Sequence, residues 1–369
     1  MSLYNKYKPN NLEEILDQSF CCTILNNLMK SKNIPNGLIL SGSHGVGKTS
    51  ILNIFAKLIN CTNPVNEKFI KACEKCKNCL FCENPNEDII EIDGATYSGV
   101  ESMRKIIESV NYLPFQLNHK IYIIDEVHML SHSAFDALLL TLHNPPSNVH
   151  FFFATTRIDK IPQTFLSRCL LIQLNRIHEE TIFNYLKKIS NLKESILKLI
   201  TNNCNGSVRS ALSTLEVIML CDNNDDLEIV EQYLKIISDE NIIKIFKNIL
   251  LGNSKEALEL WNDLYKKGYD EKVFLHKLME TVKEITKLKI GIRESSNDNY
   301  QSLVEEFNIT NELLCSYWDI LMNQLEGLYS GCKNIGETTI ILLTIVEERS
   351  SITNELKSFF PNFKEVHRI

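Results

Sequence analysis

The sequence predicts an α/β domain built on a parallel sheet, followed by an all-helical remainder. Short apolar runs alternate with helical patterns through the first half. A glycine-rich turn ending in Gly47-Lys48-Thr49 lies between one such run and a helical pattern. Past about residue 176 the strand signals stop. A chain of 369 residues is too long for one compact domain. The expected divisions are 1–175, 176–237 and 238–369.

The strands expected in order are Leu38–Ser41, Ile89–Asp93, Ile121–Asp125, Phe151–Thr155 and Leu170–Leu174. Each is short and apolar through its middle, as in parallel strands covered on both faces. Between the first two lies a polar, cysteine-dense insertion, 61–82, expected to stand apart from the core. Ser207 precedes a helix with Val208, Ala211, Leu212, Leu215, Ile218 and Met219 on one face. Ser238-Asp239 caps a helix ending at Gly252, and Ser254 caps another ending at Gly268. The polar run Glu294–Ser302 reads as a loop.

The formal net charge of −7 excludes a sequence-wide basic surface, so any contact with nucleic acid is expected through a local patch or through partners. The N-terminus has no apolar run of signal-peptide type, and the longest apolar stretch, Ile340–Val346, is far short of a membrane span. A cytoplasmic chain with no membrane partner is expected. Of twelve cysteines, Cys73, Cys76, Cys79 and Cys82 recur every third residue, which in a reducing compartment reads as metal binding. Cys61 lies twelve residues before Cys73, so four thiolates are available to one structural zinc ion. Closely spaced cysteines also suit an iron–sulfur cluster. The scattered Cys21, Cys22, Cys169, Cys204, Cys221, Cys315 and Cys332 are expected to pack as small hydrophobes.

Residues 42–49, Gly42-Ser43-His44-Gly45-Val46-Gly47-Lys48-Thr49, match G-x-x-x-x-G-K-[ST]. Glycines let backbone N–H groups converge on phosphate, and the helix opening at Lys48-Thr49-Ser50 adds its N-terminal partial charge. Lys48 is expected to bridge the β- and γ-phosphates of ATP, and Thr49 to offer its hydroxyl to Mg²⁺. Asp125 and Glu126 end an apolar strand, where ligands of open α/β sheets gather. Asp125 is placed to hold Mg²⁺ and Glu126 to act as general base on the attacking water.

Asp125–Leu130 (D-E-V-H-M-L), A-L-L-L-T-L at 137–142 and Pro145-Pro146 resemble the AAA+ ATPases of clamp loaders. F-F-F-A-T-T at 151–156, L-S-R-C at 166–169, Y-N-K-Y-K-P at 4–9 and G-S-V-R-S-A-L-S at 206–213 are similar to the gamma/tau family of bacterial DNA polymerase III. The resemblance covers roughly residues 4–290. It implies an AAA+ domain with a zinc module, a small helical lid and a helical oligomerising collar.

The resemblance further implies Thr156 as sensor 1 and Arg168 as an arginine finger acting in trans. It implies Arg209 as sensor 2, at a first-turn position that the helix dipole disfavours for a cation. Tyr7, Lys8 and Pro9 are implied beside the adenine. The implied zinc ligands are Cys61, Cys73, Cys76 and Cys79, with Cys82 standing as a substitute for Cys61. The implied partners are delta, delta-prime, further gamma/tau copies, the sliding clamp and primer–template DNA, with nucleoid association through the replication complex. The chain departs from the family pattern at His143-Asn144, Arg157-Ile158 and Ser210. It lacks the long extension of the tau form, so a gamma-length protein is expected. Two readings stay open beside the motor: an ATP-binding scaffold without turnover, and a free-standing repair or helicase-type ATPase.

Overall fold

The computed structural model describes residues 2–359 apart from 67, 83–85, 147, 222–229, 232–233, 293–297 and 308. The chain divides into two compact units, Met1–Asp225 and Asp226–Ile369.

The first unit carries strands β1 (Gly37–Ser41), β2 (Val65–Asn66), β3 (Ile70–Lys71), β4 (Ile89–Asp93), β5 (Lys120–Asp125), β6 (Val149–Thr155) and β7 (Leu170–Gln173). The five expected strands form one parallel sheet in the order β4-β5-β6-β1-β7. Because side chains alternate across a strand, β6 feeds both faces. Phe152 and Ala154 pack with Leu38, Leu40 and Ile123 beneath the helices Ser19–Ser31 and Lys48–Asn60. Phe151 and Phe153 pack with Tyr122, Phe135 and Phe165 on the other face. There Phe165 meets both Phe135 and Phe153 edge to face, with centroids 5.0 Å apart in each case.

The cysteine-rich insertion is less detached than its polarity suggests. Its hairpin β2–β3 puts Ile70 into the core, and the Ile70 N–H donates to the buried Asn26 Oδ1 at 2.9 Å. Of the scattered cysteines, Cys21, Cys22 and Cys204 are buried as expected, whereas Cys315 and Cys332 are exposed.

Buried Asp88 accepts from the N–H groups of Phe115, Gln116 and Leu117 at 2.6, 2.8 and 2.9 Å. This fixes a turn whose neighbours Tyr112, Leu113 and Phe115 are exposed. A carboxylate satisfied by three backbone donors holds the turn rigidly while its apolar side chains face solvent.

The second unit is helical among its described residues. Trp261 stacks on Phe274 with centroids 4.1 Å apart, and its ring lies so close to Gly336 that an added Cβ would come within 2.6 Å. Ser238 caps Asp239–Leu250 as expected, accepting from Asn241 N–H. Ser254 does not cap its helix: it is the first helical residue of Ser254–Lys266 and Asn253 takes the cap position. The expected loop Glu294–Ser302 is corrected in its second half, since Asp298–Glu306 is a helix. Tyr300 and Leu303, three residues apart, bury one face of that helix in the core, which outweighs the polar composition. Residues 294–297 of that run lie outside the described residues.

At the start of the sheet, His150 Nδ1–H donates to Pro35 O at 3.0 Å, so its Nε2 accepts from His119 Nδ1–H, also at 3.0 Å. This arrangement requires a neutral ring. Burial, with the neighbouring His119, pulls His150 down to about 4. An unfolded histidine titrates near 6.5, so the unfolded chain binds the proton first and stability falls as pH drops from 6.5 toward 4. Chemical denaturation of the first unit is expected to show a loss of about 2 kcal/mol between pH 7 and pH 5. His150→Phe should flatten that slope, and an unchanged slope would refute the assignment.

Candidate functional site

The phosphate loop follows β1 because the sheet forces it there. Gly42 N–H donates to Thr155 O at 3.1 Å, extending the β1–β6 ladder by one rung into the loop. Gly45 and Gly47 have φ of +74° and +101°, a region costly for any residue with a Cβ. A Cβ on Gly45 would also lie 2.0 Å from Ser207 Oγ. Val46 and Ser50 are buried and anchor the loop from beneath, whereas the His44 side chain is exposed.

Lys48 is only 5 % exposed, and its Nζ donates to Gly42 O and Ser43 O at 2.9 Å each. Burial lowers its pKa, opposed by Glu126 and Asp125. Ser43 Oγ is buried with no hydrogen-bond partner among the described residues. A phosphate group fits this cradle, where a buried ammonium satisfied only by loop carbonyls meets the first turn of a 13-residue helix.

Across the sheet, Thr49 Oγ1 donates to Asp125 Oδ2 at 2.7 Å, so the two groups expected at Mg²⁺ already meet. Glu126 has φ of +46°, a left-handed backbone that ends β5 abruptly. Gly94 allows this, because a Cβ there would lie 2.8 Å from both Asp125 O and Glu126 O. The Glu126 carboxylate accepts from Thr156 Oγ1 at 3.0 Å through Oε2. Thr156 directly follows β6, adjacent to β5, which is why the two residues meet.

Lys48, Thr49, Asp125 and Glu126 open onto a cavity of about 490 Å³. Tyr7, Lys8, Pro9 and Arg209 line it, as do Ile15, Leu16, Ile177 and Tyr185, which the sequence did not single out, and Tyr4 and Leu212, to which it gave no role at this site. Ile177 and Leu212 are themselves buried, so this wall of the cavity is made by ordinary core residues that carry no mark of it in the sequence. Tyr185 Oη–H donates to Tyr7 O at 3.5 Å. Arg209 is exposed, and its guanidinium lies 4.6 Å from the Tyr4 ring centroid while Nη2 donates to Tyr4 Oη at 2.8 Å. Tyr4 thereby offsets the unfavourable helix-start position of this cation.

Arg168 is not brought to the cavity. It is exposed, its Nη1 donates to Thr164 O at 3.0 Å, and its carbonyl borders Gly37 at the start of β1. The phosphate loop begins at the opposite end of β1, roughly 13 Å away at about 3.3 Å per residue.

The cysteines form a separate centre in the same unit. The Sγ atoms of Cys61, Cys73, Cys76 and Cys79 all lie within 4.8 Å of one another. Cys73 and Cys79 sulfurs are 3.9 Å apart, close to the edge of a tetrahedron with metal–sulfur bonds of about 2.3 Å. N–H groups of Cys73, Cys76 and Cys79 donate to the sulfurs of Cys61, Cys73 and Cys76 at 3.3–3.4 Å. Burial raises the Cys76 thiol, but hydrogen bonds from Thr62 and Cys79 outweigh it and bring it down to about 5. Cys82 is outside the cluster. It lines another cavity with Lys57, and burial pushes its thiol up to about 11.

Residues 17–178 match the family described as DNA polymerase III, delta subunit, and residues 226–353 match DNA polymerase III subunits gamma and tau domain III. DNA polymerase III subunit gamma of Buchnera aphidicola subsp. Schizaphis graminum is 34% identical over 361 residues, covering 94% of this chain and 98% of its own. Subunit tau of Bacillus subtilis is 37% identical over 279 residues, covering 73% of this chain and 48% of its own. Subunit tau of Escherichia coli is 33% identical over 304 residues, covering 80% and 47% respectively. The chain thus spans nearly the whole gamma relative and about half of each tau relative.

Gly45→Ala is expected to disrupt this site. The left-handed backbone costs about 1–2 kcal/mol and the clash with Ser207 must be relieved by moving the loop. Calorimetric titration should show ATP affinity reduced by more than tenfold. Wild-type affinity would contradict the loop conformation described.

Proposed function

Because the chain belongs to the DNA polymerase III gamma/tau family, we propose that it is the ATP-hydrolysing motor of a clamp loader, placing the sliding clamp on primed DNA. The observation that carries this reading is the convergence of Lys48, the Thr49–Asp125 pair and Glu126, itself held by Thr156, on one cavity. An ATP-binding scaffold without turnover needs Lys48 and the Thr49–Asp125 pair but not Glu126 held by Thr156. The rigid apolar display of Tyr112, Leu113 and Phe115 supports a chain built to assemble with other proteins. Among the described residues no helix is long and apolar enough to cross a membrane; the role proposed would be exercised in the cytoplasm, at the nucleoid.

Bound ATP with Mg²⁺ supplies the phosphoanhydride and the divalent charge that neutralises it. Loop N–H groups and Lys48 hold the phosphates, Lys48 exchanging Gly42 O and Ser43 O for phosphate oxygens. Thr49 and Asp125 hold the metal. Glu126 takes the proton of the attacking water at Oε1, since Oε2 is already engaged by Thr156. Arg209 leaves Tyr4 to meet the γ-phosphate and reports it to its helix. Arg168, at the far end of β1, completes the site of a neighbouring chain. That neighbour is a further gamma/tau copy, with delta and delta-prime as partners in the same assembly. The four clustered cysteines hold a structural Zn²⁺ with no open position for catalysis.

Steady-state turnover in the assembly with clamp and primed DNA is the test. Glu126→Gln should lower turnover by about 10²-fold or more with ATP binding retained. Arg168→Ala should leave ATP binding intact and lower hydrolysis in the assembly by about 10³-fold. Turnover unchanged by Glu126→Gln, or ATP binding lost with Arg168→Ala, contradicts the reading. For the cysteine centre, elemental analysis should give one zinc per chain, lost in Cys79→Ser and kept in Cys82→Ser. Iron in place of zinc, or loss of the metal in Cys82→Ser, would overturn that assignment.

A further inference from the structure

Two residues beyond the acid pair, His128 occupies a position that the roles above do not use. It sits in the short 3₁₀ turn Val127–Met129 with a side chain only 9% exposed. Its Nδ1 lies 3.2 Å from Glu126 Oε2 and 3.2 Å from Thr155 Oγ1. The ionised carboxylate accepts only, and Thr155 Oγ1 already accepts from Arg157 N–H at 3.0 Å. The hydrogen therefore belongs on Nδ1, shared between the two oxygens. The carboxylate oxygen Oε2 thus receives two donors, His128 Nδ1–H and Thr156 Oγ1–H. The remaining neighbour, His44 Nδ1, is 3.8 Å from Oε1, too far for a hydrogen bond.

Thr155 ties this arrangement to the phosphate loop. The residue is fully buried; its carbonyl accepts from Gly42 N–H at 3.1 Å while its hydroxyl meets His128. A continuous chain of contacts then runs from the first glycine of the loop through Thr155 and His128 to Glu126. We infer that His128 is a positioning residue for Glu126: it and Thr156 fix Oε2, so that Oε1 is aimed at the attacking water, and Thr155 holds the ring at the strand end where the phosphate loop begins. The inference rests on the ATPase reading above. Glu126 precedes the 3₁₀ turn on a left-handed backbone, and its side chain makes no capping hydrogen bond there that would orient it. Fixing one oxygen by two donors from different elements removes the rotation that misaims the other.

The decisive comparison uses His128→Leu, His128→Asn and Glu126→Gln chains, each reconstituted with partner subunits, clamp and primed DNA. ATP affinity is measured by calorimetry and turnover at saturating ATP. His128→Leu is expected to lower kcat about 10- to 100-fold while changing the ATP Kd less than twofold, because the ring touches no phosphate-binding group. Asparagine can place an amide N–H where Nδ1–H stood, so His128→Asn should recover kcat to within about threefold of wild type. Wild-type kcat in His128→Leu, with Glu126→Gln inactive, overturns this inference and leaves the ATPase reading standing. So does a Kd that rises as much as kcat falls, or an asparagine variant as slow as leucine. Undiminished turnover in Glu126→Gln would sink the ATPase reading and this inference together.

Discussion

The site depends on the register of three adjacent parallel strands. Pairing Ser41 with Thr155 and Phe153 with Ile124 brings the carboxyl ends of β1, β6 and β5 level. The next residue of each strand then carries chemistry: Gly42 opens the phosphate loop, Thr156 follows β6, and Asp125 with Glu126 ends β5. A slip of one residue on β6 would turn Thr155 outward and separate Thr156 from Glu126, because the side-chain period is two. No loop adjustment could restore both contacts at once. The arrangement is thus a property of the sheet, and the loops inherit it.

Aromatic packing holds that register. Phe151, Phe153, Phe135 and Phe165 interlock on one face and Phe152 meets Phe55 on the other, with centroids 5.5 Å apart. Each large ring fits one position, so neighbouring registers lose packing as well as hydrogen bonds. At the opposite edge of the same strands, the neutral His119–His150 pair fixes where β5 and β6 begin. Around the phosphate loop, Glu126 carries a strained left-handed backbone at the end of β5, where the rigid sheet below sustains it, while Gly45 and Gly47 enter that region without a Cβ.

Much of this was legible in the residues themselves. The five strands read correctly because each is a short apolar run bounded by polar turns, and the glycine-rich loop falls between β1 and the helix Lys48–Asn60, where its pattern placed it. What escaped was relational. Tyr4 carries no mark of meeting Arg209, more than two hundred residues away, and His128 looked like part of a motif without a task. Tyr185 and Leu212 belong to amphipathic stripes whose inward face happens to line the cavity. The polar run through Ser302 misled because two residues, Tyr300 and Leu303, suffice to dock a helix when a core is at hand. Spacing alone left Cys61 and Cys82 as alternatives beside Cys73, Cys76 and Cys79. The folded insertion separates them, turning Cys82 away from the cluster by the helix Lys77–Phe81.

The central claim is a catalytic site divided between chains, with Lys48, Asp125 and Glu126 on one side and Arg168 on the next. Arg168 stands at the end of β1 remote from its own phosphate loop, so its contribution must be made to another copy or to none. The most direct measurement is complementation: Arg168→Ala and Glu126→Gln chains are mixed in one reconstituted assembly and ATP turnover is followed as their ratio varies. A divided site predicts that each variant alone is nearly inactive and that turnover reappears in the mixture, greatest near equal amounts. Turnover in the mixture no higher than the weighted sum of the two separate variants would contradict it.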